Sequence, residues 1–189
     1  MGIFKAETEE AASEWSRSNP HGARGRIMAI YIDTNVFYNA YCPIEDRLAA
    51  DWLLKQIEAE FPGITSEWTI AEMFRAFKKQ VNLDRIGEKD AQIALDLFLS
   101  QIGEYAQKEK LILVPVKMIL IMASRKFIFS QNLYAADAIH IACATNVKVD
   151  AFITFDSDFK KLTKIPILNP SDDKFKDSIK KLKVKYLKK

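Results

Sequence analysis

Acidic side chains follow two apolar segments of this 189-residue chain, at the points where buried strands would end. Asp33 closes MAIYID and Asp156 closes AFITFD, while Asp137 lies inside the apolar segment LYAADAIHIACA. A carboxylate near a core is costly unless positive charge compensates it, and none of these segments contains Lys or Arg. Carboxylate oxygens suit Mg²⁺ and Mn²⁺, so the pattern predicts a divalent metal site.

A fourth acid is expected on the helix after the second predicted strand, where Glu67 and Glu72 are both candidates. Glu72 points away from the apolar stripe of this helix, so it would either be solvated or line a cleft. Arg75 and Lys79 lie beside Glu72 and are either phosphate contacts or solvated cations. Periodicity alone leaves the choice of the fourth acid open.

The segment 133–147 is apolar on nearly all sides, which predicts a buried helix. Asp137 within it must be paired, bound to metal or used as a helix cap, and Ser130 and Asn132 are better placed as caps. His140 lies three residues further on the same face. We interpret it as a hydrogen-bonded histidine of the core or of the site's surroundings rather than as a metal ligand.

Short apolar segments alternate with helical patterns through most of the chain. Strands are predicted at residues 26–32, 64–65, 111–116, 151–155 and 165–168. This alternation predicts an α/β fold, a three-layer sandwich around a central, mostly parallel sheet of four to five short strands. Ligands of such sheets bind beyond the carboxyl ends of the strands, which is where Asp33 and Asp156 are placed.

Composition narrows the class of protein. With 49% hydrophobic residues, the chain can bury one full core, so we expect one domain with appendages. Its two cysteines are far apart and have no zinc-site spacing, which argues against a disulfide framework. An apolar leader is missing, and so is any apolar stretch of the roughly 20 residues that span a bilayer. We therefore expect a cytoplasmic protein without membrane contact.

Charge is uneven along the chain. Residues 172–189 hold eight Lys and three Asp, whereas residues 28–171 hold 18 acidic and 16 basic residues. A Lys-rich tail beside an acidic body could bind the phosphates of a nucleic acid. It could equally be a frayed, solvated tail, and both interpretations stay open at this point.

Four segments in this order resemble the PIN-domain nucleases, most closely the VapC-type toxins of VapBC toxin–antitoxin modules. They are IYIDTNVF, TSEWTIAEM, AADAIHIA and TFDSDF. The resemblance covers about residues 27–170 and selects Glu72 over Glu67. It implies four catalytic metal ligands, namely Asp33, Glu72, Asp137 and Asp156. It also implies Asp158 as an auxiliary metal-binding acid.

The resemblance implies hydrolysis of RNA phosphodiester bonds with Mg²⁺ or Mn²⁺, together with a homodimer and a small antitoxin protein as partner. Residues 28–170 would form the PIN-like nuclease domain, with an N-terminal extension or tag at 1–27 and a Lys-rich tail at 171–189. Thr34 would bond to a metal-bound water or a phosphate. Asn35 would cap the following helix or orient the neighbouring Asp33.

Three alternatives remain at the sequence level. One is a PIN nuclease of RNA processing or ribosome maturation, and a second is a non-catalytic PIN-fold binding module, although all four acids are present. The third is a phosphotransfer protein, either a haloacid-dehalogenase-like phosphatase or a receiver domain. The phosphatase needs a second Asp where this chain has Asn35, and the receiver needs an acidic pair where IYID supplies one acid.

Overall fold

The computed structural model describes residues 28–45, 47–157, 159 and 164–187. The predicted extension at residues 1–27 and the predicted auxiliary acid Asp158 lie outside these ranges. Within them, none of the helices has the length and apolar character needed to cross a membrane.

Five short strands form one parallel sheet at the centre of the domain. They are β1 (Ile30–Ile32), β2 (Gly63–Ser66), β3 (Leu111–Val114), β4 (Ala151–Ile153) and β5 (Ile167–Leu168). Their order is β3-β2-β1-β4-β5, and every neighbouring pair is parallel. From β1 the chain continues to β2 and then β3 on one side of β1, and it later crosses to β4 and β5 on the other side. The strand order therefore reverses between β1 and β4. In parallel sheets a ligand crevice lies beyond the carboxyl ends at such a point.

Helices cover both faces of the sheet. They are α1 (Thr34–Tyr41), α2 (Leu48–Ala59), α3 (Trp68–Asn82), α4 (Glu88–Gln107), α5 (Met118–Gln131), α6 (Ala135–Asn146) and α7 (Phe175–Leu187). Side chains alternate across β1: Ile30 and Ile32 join the core with α1–α4 and α7, whereas Tyr31 joins the core with α5 and α6. The predicted α/β three-layer sandwich is therefore confirmed, with a sheet that is entirely parallel.

The helix that carries Asp137 begins differently from the prediction. Asn132 ends α5 in the left-handed conformation, with φ of 54°, which Asn tolerates at a helix C-terminus. The Ser130 hydroxyl donates back to the Lys126 carbonyl within α5. Neither residue caps α6, whose first turn contains Asp137. The prediction that Ser130 or Asn132 caps this helix is thus wrong.

The frayed-tail interpretation of residues 171–189 is also wrong where the structure describes them. Residues 175–187 form α7, and Phe175 and Ile179 are each only 2% exposed within the same core as α2. The ring of Phe175 meets the ring of Trp52 edge-on at 5.8 Å between centroids. Spacing of four residues puts both buried side chains on one face of the helix, which Lys183 continues, and the other lysines lie outside this row.

Candidate active site

Asp33 stands at the carboxyl end of the central strand and is 5% exposed. Its Oδ1 accepts a hydrogen bond from the Thr34 backbone N–H at 2.8 Å and so caps α1, while its Oδ2 accepts from the Thr154 hydroxyl at 2.7 Å. Its own backbone N–H donates to the Ile153 carbonyl at 3.0 Å. The ends of β1 and β4 therefore fix this carboxylate in position and orientation.

Asn35 ties the start of α1 to the loop after β4. Its Nδ2 donates to the Thr154 hydroxyl at 2.8 Å, and its Oδ1 accepts from the Phe155 N–H at 3.1 Å. The Thr154 oxygen also accepts from the Asp156 N–H at 3.0 Å, so it uses one donor and two acceptor sites. Asn35 thus does not cap α1; it orients Asp33 indirectly, through Thr154.

Glu72 reaches the same edge of the sheet from α3. Its Oε2 accepts from the Thr34 hydroxyl at 2.5 Å and lies 2.5 Å from His140 Nε2. The Thr34 hydroxyl is the donor of the first of these hydrogen bonds, and its predicted bond to a metal-bound water or a phosphate stays a prediction. Glu67 is exposed at the start of α3, away from these contacts, and its backbone N–H donates to Val114.

A buried chain of side chains supports Glu72. His140 is fully buried, with Nε2 on Glu72 and Nδ1 2.8 Å from the Tyr31 hydroxyl. Ser66 Oγ lies 3.4 Å from the same Nδ1, and the Tyr31 ring stacks on Phe152. His140 is therefore the hydrogen-bonded histidine expected from the sequence. Tyr31 was not expected in the site, because a tyrosine in an apolar strand is typical of a core.

The Glu72–His140 contact is an ion pair. Burial alone would raise the pKa of Glu72 and lower the pKa of His140, but their mutual hydrogen bond and charges outweigh burial, so the pKa of Glu72 is lowered and that of His140 is raised. Burial raises the pKa of Asp33, although the His140 charge, 4.0 Å from Oδ1, opposes the rise. The acidic segments contain no Lys or Arg, so His140 supplies the positive charge that they lack.

Asp137, in the first turn of α6, has no such compensation. It is half-buried, and its carboxylate forms no hydrogen bond with another described residue. Burial raises the pKa of Asp137, and the negative charges of Asp33, Glu72 and Asp156 raise it further, to about 6 from an ordinary value of 3.8. His140 opposes the rise only weakly by comparison. The structure therefore brings all four predicted acids within electrostatic reach of one another.

The donor set fits a hard divalent cation, because it consists of carboxylate oxygens without a thiolate. Both short contacts of Glu72, to Thr34 and to His140, use Oε2, and Oε1 makes no hydrogen bond to another described residue. Within the described ranges, which leave out Asp158, no three His, Cys, Asp or Glu side chains converge tightly enough to form a closed metal site. The chemistry of the residues is therefore right for Mg²⁺ or Mn²⁺, while their final convergence is not seen.

Two predicted phosphate contacts lie on the outer side of α3. Arg75 and Lys79 are both exposed, and neither side chain forms a hydrogen bond or ion pair with another described residue. They follow Glu72 by about one and two helical turns, so they flank the acidic edge without joining its network.

A five-stranded parallel sheet covered by helices on both faces, with acidic side chains at the carboxyl ends of its central strands, defines the class of this protein as an α/β protein. The PIN domain family model matches residues 30–165. The chain therefore belongs to the PIN domain family, whose members are generally nucleases. This membership argues against the phosphotransfer alternative. A comparison with curated proteins gives no match.

Solved structures show the same fold at low sequence identity. VapBC2 from Rickettsia felis, bound to a DNA fragment from its promoter, is 17% identical with a TM-score of 0.54, covering 75% of this chain and 98% of that chain. FitAcB from Neisseria gonorrhoeae is 17% identical with a TM-score of 0.55, covering 75% and 97%. PAE2754 from Pyrobaculum aerophilum is 17% identical with a TM-score of 0.57, covering 88% and 97%.

Proposed function

We propose that this protein is a Mg²⁺- or Mn²⁺-dependent endoribonuclease whose catalytic carboxylates are Asp33, Glu72, Asp137 and Asp156. The observation that carries the proposal is the hydrogen-bonded placement of Asp33 and Glu72 around Thr34. Asp137 lies near enough to them that burial and three neighbouring negative charges raise its pKa to about 6. Perturbed carboxylates of this kind cluster at functional sites, and a bound cation would relieve the repulsion.

The chain's own residues do most of the positioning in this proposal. Thr154 and the α1 N-terminus hold Asp33, and His140 holds Glu72, so two of the four ligands are oriented before a cation binds. A bound divalent cation would supply a water of lowered pKa and positive charge for the scissile phosphate. Asp158 as an auxiliary acid completes the proposed ligand set, and Arg75 and Lys79 are proposed as phosphate contacts beside it.

Cleavage of a fluorescently labelled single-stranded RNA tests the activity. The wild-type protein should cleave in Mg²⁺ or Mn²⁺ and stop in EDTA, and Asp137→Asn should lower the rate by about 100-fold or more. Asp96→Asn, an exposed acid on α4, is the matched control and should cleave normally. Cleavage that persists in EDTA, or equal losses in both variants, would contradict the proposal.

Metal binding can be measured separately from activity. Mg²⁺ or Mn²⁺ should raise the melting temperature of the wild-type protein, because a ligand that binds only the folded state stabilises it. Most of that rise should disappear in Asp137→Asn and persist in Asp96→Asn. Titration calorimetry on the same proteins also separates a nuclease from the alternative of a non-catalytic PIN-fold binding module, for which we expect no metal binding.

A second proposal is that the protein is the toxin of a toxin–antitoxin pair, with a small antitoxin as its partner and a homodimer as its assembly. It is supported by the fold shared with VapBC2 and by exposed apolar side chains on α5, with Met118 70% and Phe129 81% exposed, which suit a protein contact. Induced expression should arrest growth, and Asp137→Asn should relieve the arrest. Arrest by both proteins would contradict a toxin acting through this site; no arrest by either would favour RNA processing or ribosome maturation.

A further inference from the structure

The last helix, α7, lies outside residues 30–165 that match the PIN family model, yet it is built into the domain. Phe175 and Ile179 are buried in the core shared with α2, and Lys183 forms an ion pair with Glu60, the residue directly after α2. Because these contacts hold the helix against the domain, its lysines are held on a defined surface. That surface is an addition to the part of the chain that the family model matches.

Positive charge is concentrated on this helix. Four of its lysines have described side chains, namely Lys176, Lys180, Lys181 and Lys183, and Lys174 directly precedes the helix. Lys180 lies 3.8 Å from Asp177, but both side chains are at least 70% exposed, and ion pairs so exposed hold a cation only weakly. Lys174 and Lys181 are exposed and form no ion pair with another described residue. These cations are available to a polyanion.

The basic helix starts beside the acidic edge of the sheet. Asn169 directly follows β5, and its Nδ2 donates to the carbonyl of Phe155, the residue before Asp156. Its Oδ1 accepts from the Ser171 N–H at 2.8 Å, and the Phe175 N–H donates to Asp172 at 2.8 Å, so tight turns connect Asn169 to α7. The 13 residues of α7 then extend for about 20 Å. A strand bound at the acids could continue along it for several nucleotides.

We infer that the lysines of α7 form a phosphate-binding surface for the single-stranded RNA that flanks the cleaved bond. The inference rests on the proposed ribonuclease function and names a further binding surface for its substrate. Lysine ammonium groups act as point charges toward phosphate oxygens and read no bases, so this surface increases affinity without selecting a sequence. It also offsets the repulsion between RNA and the acidic remainder of the domain.

The test compares two triple variants of the full chain that each lose three positive charges. The first is Lys174→Gln, Lys180→Gln and Lys181→Gln on the basic surface. The control is Lys89→Gln, Lys126→Gln and Lys148→Gln, all exposed and on other elements. Binding of a labelled single-stranded RNA is measured against salt concentration in an Asp137→Asn background, so that the RNA is not cut.

Each phosphate contact on a single strand contributes about 0.7 to the slope of log affinity against log salt, so the first variant should flatten the slope by about 2. Its affinity at low salt should fall by at least about tenfold, while the control keeps the wild-type slope. Equal slopes for all three proteins, or equal flattening in both variants, would overturn the inference. A loss confined to double-stranded DNA would overturn the assignment to RNA.

Steady-state kinetics of RNA cleavage, measured with Asp137 intact, add an independent measurement. The first variant should raise KM and leave kcat within about twofold, because no group at the acids is changed; a loss of kcat at unchanged KM would overturn the inference. If the first variant does not fold by circular dichroism, Lys181→Gln alone should still flatten the slope by about 0.7. If the wild type binds RNA without cleaving it, the proposed nuclease function is contradicted. The salt slopes of the two triple variants still test whether the lysines of α7 form the binding surface.

Discussion

The two sides of the candidate site treat their carboxylates in opposite ways. On the Glu72 side, the carboxylate pairs with His140, which Tyr31 holds from behind, and the pKa of Glu72 is lowered. On the Asp137 side, formed by Asp137 and Asp156, the pKa of Asp137 is raised to about 6. A lowered carboxyl pKa means that ionisation stabilises the fold, and a raised one means that ionisation destabilises it.

This difference separates what the fold needs from what the function needs. The Glu72 side brings its own cation, His140, and stabilises the domain without a metal ion. On the Asp137 side, burial and neighbouring negative charges raise the pKa of Asp137, so its ionisation lowers the stability of the metal-free protein. We expect substitutions on the first side to destabilise the fold and a substitution on the second to stabilise it, with activity lost in both cases.

The largest effect should come from His140→Ala. The change removes the buried partner of a carboxylate and leaves a cavity, and we expect the free energy of unfolding in EDTA at pH 5.5 to fall by about 3 kcal/mol. This is the low end of the range for buried pairs, because the Glu72 side chain is 24% exposed. Urea denaturation measures it, and a loss below about 1 kcal/mol would contradict the ion pair.

The same pair predicts a pH window. The pKa of His140 is raised, so its contribution is complete below the unfolded value of 6.5 and is lost as the pH rises through the folded pKa. The pKa of Glu72 is lowered, so its contribution is present above 4.5 and is lost as the pH falls through its folded pKa. The deficit of His140→Ala should therefore be greatest between these two values and smaller in strong acid and in strong base.

Asp137→Asn should act in the opposite direction. The rise of the Asp137 pKa from 3.8 to about 6 corresponds to about 3 kcal/mol. Partial exposure reduces this to about 1–2 kcal/mol of added stability in EDTA at pH 7. Since the folded pKa is about 6 and the ordinary value 3.8, the gain should be absent below pH 4, grow from pH 4 to 6 and then stay constant. Asp96→Asn should show no such profile. Destabilisation by Asp137→Asn would identify Asp137 as a structural residue.

Tyr31→Phe should have a smaller effect on the Glu72 side. It removes one hydrogen bond to a buried histidine, which is worth about 1 kcal/mol, and Ser66 Oγ at 3.4 Å from Nδ1 can take over part of it. Tyr134→Phe is the matched control, because Tyr134 is 83% exposed and should change stability by less than about 0.5 kcal/mol. Denaturant melts of both variants in EDTA decide whether Tyr31 supports the pair.

The sequence contains enough information to predict the layers and the strand-end acids, because both follow from local patterns. Apolar runs such as MAIYID mark strands buried on both faces, and an Asp directly after the run marks a carboxyl end. The position of Asp137 in an apolar helix predicts it as a site residue, whereas only the family resemblance selects Glu72 over Glu67. The supporting contacts are different in kind: Tyr31 and His140 are 109 positions apart, and Asp33 and Thr154 are 121 apart. No local pattern reports such pairs.

Helix ends and the tail show a second reason for the errors. Asn132 favours both helix starts and left-handed helix ends, and only the fold selects the second. The Lys-rich composition of residues 172–189 resembles a solvated tail, although Phe175, Ile179 and Leu182 recur at the spacing of one face of a helix and all pack on the core. Composition and periodicity favour different structures here, and only the packing against α2 selects the helix.

The smallest effect should come from Glu67→Gln, which tests the choice of the acid on α3. Glu67 is exposed at the start of the helix, so losing its charge should change stability by less than about 0.5 kcal/mol and the rate of RNA cleavage by no more than about threefold. Glu72→Gln removes the charge that pairs with His140, so it should lower the cleavage rate by about 100-fold. The two variants remove the same charge from the same helix, so total charge and helix propensity cannot explain a difference between them. If Glu67→Gln lowered cleavage as much as Glu72→Gln, Glu67 would be a functional acid, about one helical turn before the residue that contacts His140. The Glu72 side would then not belong to the site as proposed.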